Sequence, residues 1–146
     1  MKRPVEHSLT LRVGKYFFLQ EFLISHDHPQ LIAGYILNEY QILKIHYLCK
    51  FLLDPVRETH GSVIIMSGHR TPPLNDAVGG ADNSQHLFSE AADFIVPKAC
   101  ALDVWNTMTK TLQFPGELIW YKKESVDRWH CALPHPSVKS DHLIKG

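Results

Sequence analysis

His86 leaves a polar run, and Asp93 follows seven residues later, in Ser84-Gln85-His86-Leu87-Phe88-Ser89-Glu90-Ala91-Ala92-Asp93. A third donor, His130, lies in Trp129-His130-Cys131. Two imidazoles and one carboxylate suit a catalytic zinc ion that keeps one position open for water. Such an ion acidifies the water and polarises a peptide carbonyl. A base is also needed. Asp127 stands three residues before His130, at a turn from which its carboxylate could fold back toward that water. Arg70, in Ser67-Gly68-His69-Arg70-Thr71, directly follows an apolar run. A guanidinium placed rigidly there could clamp a substrate carboxylate or carbonyl.

Elements must bring these groups together. Leu9 to Val13 alternates and reads as a short strand or extended arm, and the N-terminal arm runs to about Gln30. The apolar spacing of Ile32, Ile36, Tyr40, Leu43, Tyr47 and Phe51 predicts a helix over Leu31 to Leu53 with that face buried. Asp54-Pro55 interrupts or ends it, with a short helical turn expected to continue to His60-Gly61. Ser62 to Met66 and Ala91 to Val96 read as strands. The glycine- and proline-rich stretch between them reads as a long ordered loop, with a helical turn at Leu74-Asn75-Asp76. Ala99 to Leu112 reads as a helix. Leu118 to Tyr121 and Arg128 to Leu133 read as antiparallel strands around a polar turn. The tail beyond Pro134 is expected to be loose. The sum is one α+β domain: a small antiparallel sheet with helices packed against it around a single zinc site.

Composition narrows the function. The 146 residues are 45% apolar and 21% charged, as expected of a globular domain. A net charge of zero gives no basic excess for nucleic acid. Three scattered cysteines form no disulfide framework and read as reduced thiols in a cytoplasmic setting. No signal peptide or membrane span is expected. His26-Asp27-His28 precedes Pro29 and reads as solvated loop. Cys131, Trp105 and Trp120 read as core, while Trp129 is a candidate wall of the site.

Ser67-Gly68-His69-Arg70-Thr71-Pro72, then Leu74-Asn75-Asp76-Ala77-Val78-Gly79-Gly80, Asn83-Ser84-Gln85-His86 and Ala91-Ala92-Asp93 together resemble the zinc D-Ala-D-Ala carboxypeptidase family. That family includes D-Ala-D-Ala dipeptidases and bacteriophage endolysins. Its signature is S-x-H-x-x-G-x-A-x-D with a later acidic-x-x-His or Trp-x-His segment. The resemblance implies zinc on His86, Asp93 and His130, with Asp127 as base. It also implies substrate contacts from Arg70, Ser84 and Gln85, and a peptidoglycan stem peptide as substrate. The small size and absence of an obvious wall-binding module fit a phage lysis or virion-associated enzyme, with virion proteins as partners. Lacking an export signal, it would need delivery to the periplasm or wall. Three positions depart from the family pattern. Ser89 replaces the signature glycine, Tyr121 stands where some members carry glutamate, and His69 replaces a tyrosine beside the arginine. The first two keep an alternative open: a catalytically weak or inactive zinc-binding module of wall or virion.

Overall fold

The computed structural model describes residues 10–146. Helix α1 (Glu39–Leu48) starts at a reciprocal cap: Asn38 Oδ1 accepts from Gln41 N, and Gln41 Oε1 accepts from Asn38 N. One π-helical turn, Cys49–Leu53, carries the chain straight into α2 (Asp54–His60). Pro55 therefore does not end the helix. It falls in the first turn of α2, where the wider π turn relieves the missing N–H and the ring's clash with the preceding turn. Gly61, at φ +83°, stops it.

The predicted helix over Leu31 to Leu53 is corrected at its start and on its buried face. Residues before Asn38 form a 3₁₀ turn at Pro29–Leu31 and a link through Gly34, at φ +73°. The stripe expected to be buried is largely outside: Ile36, Tyr40, Leu43 and Tyr47 are exposed, whereas Ile45, Leu48, Leu52, Leu53 and Val56 are buried. Apolar residues occur on every side of this helix, so the 3.6-residue period alone does not choose a face.

Strands β1 (Ile64–Ser67), β2 (Ala91–Ile95), β3 (Leu118–Tyr121), β4 (Arg128–Ala132) and β5 (His142–Lys145) form one sheet in the order β1-β2-β4-β3-β5. A bulge interrupts β1 between Ile65 and Ser67. The sheet is mixed rather than purely antiparallel, because β5 runs parallel to β3 with Leu143 beside Ile119. The tail is thus not loose: four residues too few to show a pattern gain order from the edge of β3.

Alternation along the strands sorts side chains onto two faces. Phe94, Leu118, Trp120, Trp129 and Cys131 join the core, packed with α1, the π turn, α2 and α4 (Ala101–Lys110). Trp129 stacks on Trp120 at 5.2 Å and is buried there, so it does not wall the site. Residues 13–22 are core as well: Val13, Phe17, Leu19 and Phe22 are all buried. The described part of the expected arm therefore packs into the domain; Leu9 lies outside the described residues. The opposite sheet face is left for chemistry. Over it lie α3 (Pro72–Ala77), capped by Thr71, and the 3₁₀ turn Gln85–Phe88. Phe22→Ala should destabilise the protein by about 3–5 kcal/mol in urea unfolding. A change below 1 kcal/mol would show the N-terminal segment to be dispensable packing.

Candidate metal centre

Asp93 lies mid-strand on β2, and β-sheet register places His130 of β4 directly opposite it. Opposed residues share a face, and His130 Nδ1 donates to Asp93 Oδ1 at 2.7 Å. His86 arrives from the 3₁₀ turn, whose first residues are capped by Ser84 Oγ accepting from His86 N. Its Nε2 lies 3.3 Å from the same Oδ1. One donor atom from each of the three residues falls within 4.8 Å of the other two.

Both imidazoles are gripped from behind. His86 Nδ1 donates to the Gly68 carbonyl at 2.8 Å, which puts the ring proton there and the lone pair on Nε2. That Nε2 is buried and, despite its nearness to Asp93, makes no hydrogen bond. A buried lone pair without a donor is what a ligand atom needs. His130 Nε2 lies 3.3 Å from Glu117 Oε1, so Nδ1 is the atom turned toward Asp93 and His86. Such outer carboxylates and carbonyls orient metal-binding imidazoles and raise their basicity. The donor set therefore fits a small divalent cation such as zinc.

The carboxylate is also held. Arg70 Nη2 reaches Asp93 Oδ2 at 3.5 Å, its Nε donates to Ser67 Oγ, and its Nη1 donates to Asn75 Oδ1. Asn75 is buried and donates from Nδ2 to Ala81 O. A Cβ on Gly80 would overlap Asn75 Oδ1, which explains the glycine there. A Cβ on Gly68 would come 2.6 Å from Phe22 Cα, so Gly68 lets the carbonyl that holds His86 pack against the core.

Electrostatics follow from these contacts. Burial pushes Asp93 up, but electrostatic attraction from the neighbouring His86 and the hydrogen bond from His130 outweigh it and hold the carboxyl well below its usual range. Burial pushes His130 down, but the bonds to Asp93 and Glu117 prevail and raise it to about 9 in the metal-free chain. The proton on His130 thus stabilises the metal-free fold fully below the unfolded value near 6.5. That stabilisation is lost as pH rises through about 9. Metal must displace this proton, so metal affinity runs the other way.

Other predicted residues lie elsewhere or act differently. Asp127 is corrected as a catalytic candidate. It shares the Trp129 face, its Oδ2 accepts from Trp120 Nε1 at 3.0 Å, and its Oδ1 accepts from Lys123 N at 2.8 Å. Both oxygens are spent on closing the β3–β4 turn, away from the metal face. Gln85 is largely buried and donates to Leu133 O at 2.7 Å, which tethers the 3₁₀ turn, and it lines the cleft beside His130. Ser84 caps His86 and lines the cleft beside His130. Arg70 holds Asp93 and also lines a cleft. Sequence reasoning missed Glu117; once β3 is paired with β4, alternation puts Glu117, Ile119 and Tyr121 on the His130 face.

Two departures from the family pattern touch each other. Ser89 occupies the left-handed region at φ 59°, and its Oγ is hydrogen-bonded to His69 Nδ1 at 2.7 Å. His69 is buried and stacks on Tyr35 at 5.0 Å. Burial and then the neighbouring His86 lower its pKa to about 4, so it stays neutral. The serine keeps the backbone that glycine would favour and gives the buried imidazole a partner.

Two histidines and one aspartate on the open face of an α+β sheet are the donor set of a mononuclear zinc hydrolase. A family model described as peptidase M15 matches residues 25–128, and the chain belongs to this D-Ala-D-Ala carboxypeptidase-like metallopeptidase family. The match ends two residues before His130, so the third donor rests on the geometry. No curated protein matches the chain.

Four outcomes are expected. Glu117→Gln should weaken zinc affinity about 10- to 100-fold in chelator competition. Wild-type affinity should rise by up to about tenfold per pH unit between pH 6 and 8, as one proton is displaced. Ser89→Ala should cost about 1–3 kcal/mol in urea unfolding by stranding His69. Ser89→Gly should cost less, because relief of the left-handed strain offsets part of that loss.

Proposed function

We propose that this protein is a zinc peptidase cleaving D-amino-acid peptide bonds in the stem peptides of bacterial peptidoglycan. The observation that carries the proposal is the meeting of His86 Nε2, Asp93 Oδ1 and His130 Nδ1 in a member of a peptidase family. Bound zinc supplies the Lewis acidity that amide hydrolysis needs at neutral pH. The chain's residues do the rest. Arg70 fixes Asp93 so that Oδ1 faces the imidazoles, while Gly68 and Glu117 fix the ring orientations.

Two clefts flank the group. One, of about 400 Å³, is lined by Ser67, Arg70, Asp93 and Arg128. The other, of about 360 Å³, is lined by Ser84, Glu117, His130 and Lys139. An extended peptide crossing from one to the other lays its scissile carbonyl beside Asp93 and His130. Glu117, which lines the second cleft, holds His130 Nε2 on the side of the ring away from the metal and so keeps Nδ1 aimed at it. Peptidoglycan as substrate implies delivery to the wall, in phage lysis or within a virion.

One observation favours a second reading. Tyr121, not a carboxylate, faces the metal group from the end of β3, which suits a module that binds wall without cutting it. Incubating zinc-loaded protein with muropeptides and following new amines by mass spectrometry separates the two. Wild type should release product, chelation should stop release, and Glu117→Ala should slow it about 10- to 100-fold by loosening His130. Asp127→Asn should remain within a few-fold of wild type. Retention on sacculi without any release would replace the peptidase reading by the second one.

A further inference from the structure

Arg70 is the arginine that the motif singles out for substrate, yet its guanidinium is already tied at Nε, Nη1 and Nη2 to Ser67, Asn75 and Asp93. Arg128 is different. It opens β4 two residues before His130, so it lies on the same face as the metal group, directly across from Tyr121. It is exposed, and among the described residues no hydrogen bond or ion pair engages it. Arg70 and Arg128 line one cleft, about 400 Å³ in volume.

Ser25, His26, Asp27 and His28 line the same cleft. Its two carboxylates are Asp93, which belongs to the metal group, and the exposed Asp27. The space beside Asp93 therefore holds one committed guanidinium and one uncommitted one. An arginine presents a planar fork that matches a carboxylate with two parallel hydrogen bonds.

We infer that Arg128 is the specificity-determining residue of this site and binds a substrate carboxylate carried by the residue next to the scissile bond. This rests on the peptidase reading above and adds the chemical class of substrate: an anionic peptide, anchored on the Arg128 side of the metal and cut toward the Glu117 side. The carboxylate has two chemical sources, the free C-terminus of the chain or an acidic side chain. Arg70 cannot fill the same role without releasing Asp93.

Three peptides separate these cases on zinc-loaded protein: acetyl-Lys-D-Ala-D-Ala, its C-terminal amide, and acetyl-Lys-D-Ala-D-Glu amide. Cleavage is followed by mass spectrometry and binding by calorimetry, with zinc content and melting temperature checked for every variant. Wild type should prefer a carboxylate peptide over the neutral amide, by kcat/KM or by affinity, about 10- to 100-fold. Preference for the first peptide assigns a terminal carboxylate, and preference for the third an acidic side chain. Arg128→Ala should bring the carboxylate peptides down to the level of the neutral amide and so erase the preference; Arg128→Lys should restore part of it. If no peptide is cut but carboxylate peptides still bind through Arg128, the subsite stands and the peptidase reading falls. If peptides are cut with no preference for a carboxylate, the peptidase reading stands and this inference falls. It also falls if Arg128→Ala impairs all three peptides equally, or if none of them is cut or bound.

Discussion

A carboxylate buried between two imidazoles sets the terms for this structure. Asp93 Oδ1 lies 2.7 Å from His130 Nδ1 and 3.3 Å from His86 Nε2. Only one of those contacts comes from neighbouring strands. The β2–β4 register must therefore be held, because a slip of one residue would turn His130 into the core and Trp129 onto the metal face. The tryptophan stack at 5.2 Å on the other side of the sheet opposes such a slip. Packing on one face thus guarantees the chemistry on the other.

Around that carboxylate the chain has built a layer of residues that hold the donors in place. Arg70 and Asn75 link Asp93 to the Gly79-Gly80 turn, and the Gly68 carbonyl links His86 to the β1 end. Glu90, beside Ser89, is drawn to Lys44 of α1 at 2.9 Å, which ties the loop carrying His86 to the helical layer. The glycine-rich segment between β1 and β2 is long because it supplies this support. Its small residues serve close approach more than mobility.

The three candidate metal donors, which the fold brings together, were legible because such a site leaves residue types at fixed spacing, and the α+β class followed from alternating short apolar runs. The carboxylate that holds His130 from behind was not legible. Asp127 had the right type and the right distance from His130 in the chain, but odd spacing on a strand put it on the wrong face. Glu117 lay thirteen residues before His130, and only strand pairing makes them neighbours. The α1 face failed for a related reason: with apolar groups all round, burial is decided by what packs against the helix. Ser89 looked like a defect on its own and becomes intelligible through His69, twenty residues away.

The bulge in β1 and the short parallel β5 bear on how copies of this protein meet one another. A sheet offers unpaired amides along its outermost strands, and a long flat border invites strands from another molecule. Here one border is kinked between Ile65 and Ser67, with Ile64 exposed beside it, and the other is four residues long and flanked by His142 and Lys145. Neither border is a good template for accretion, which favours solubility at high local concentration.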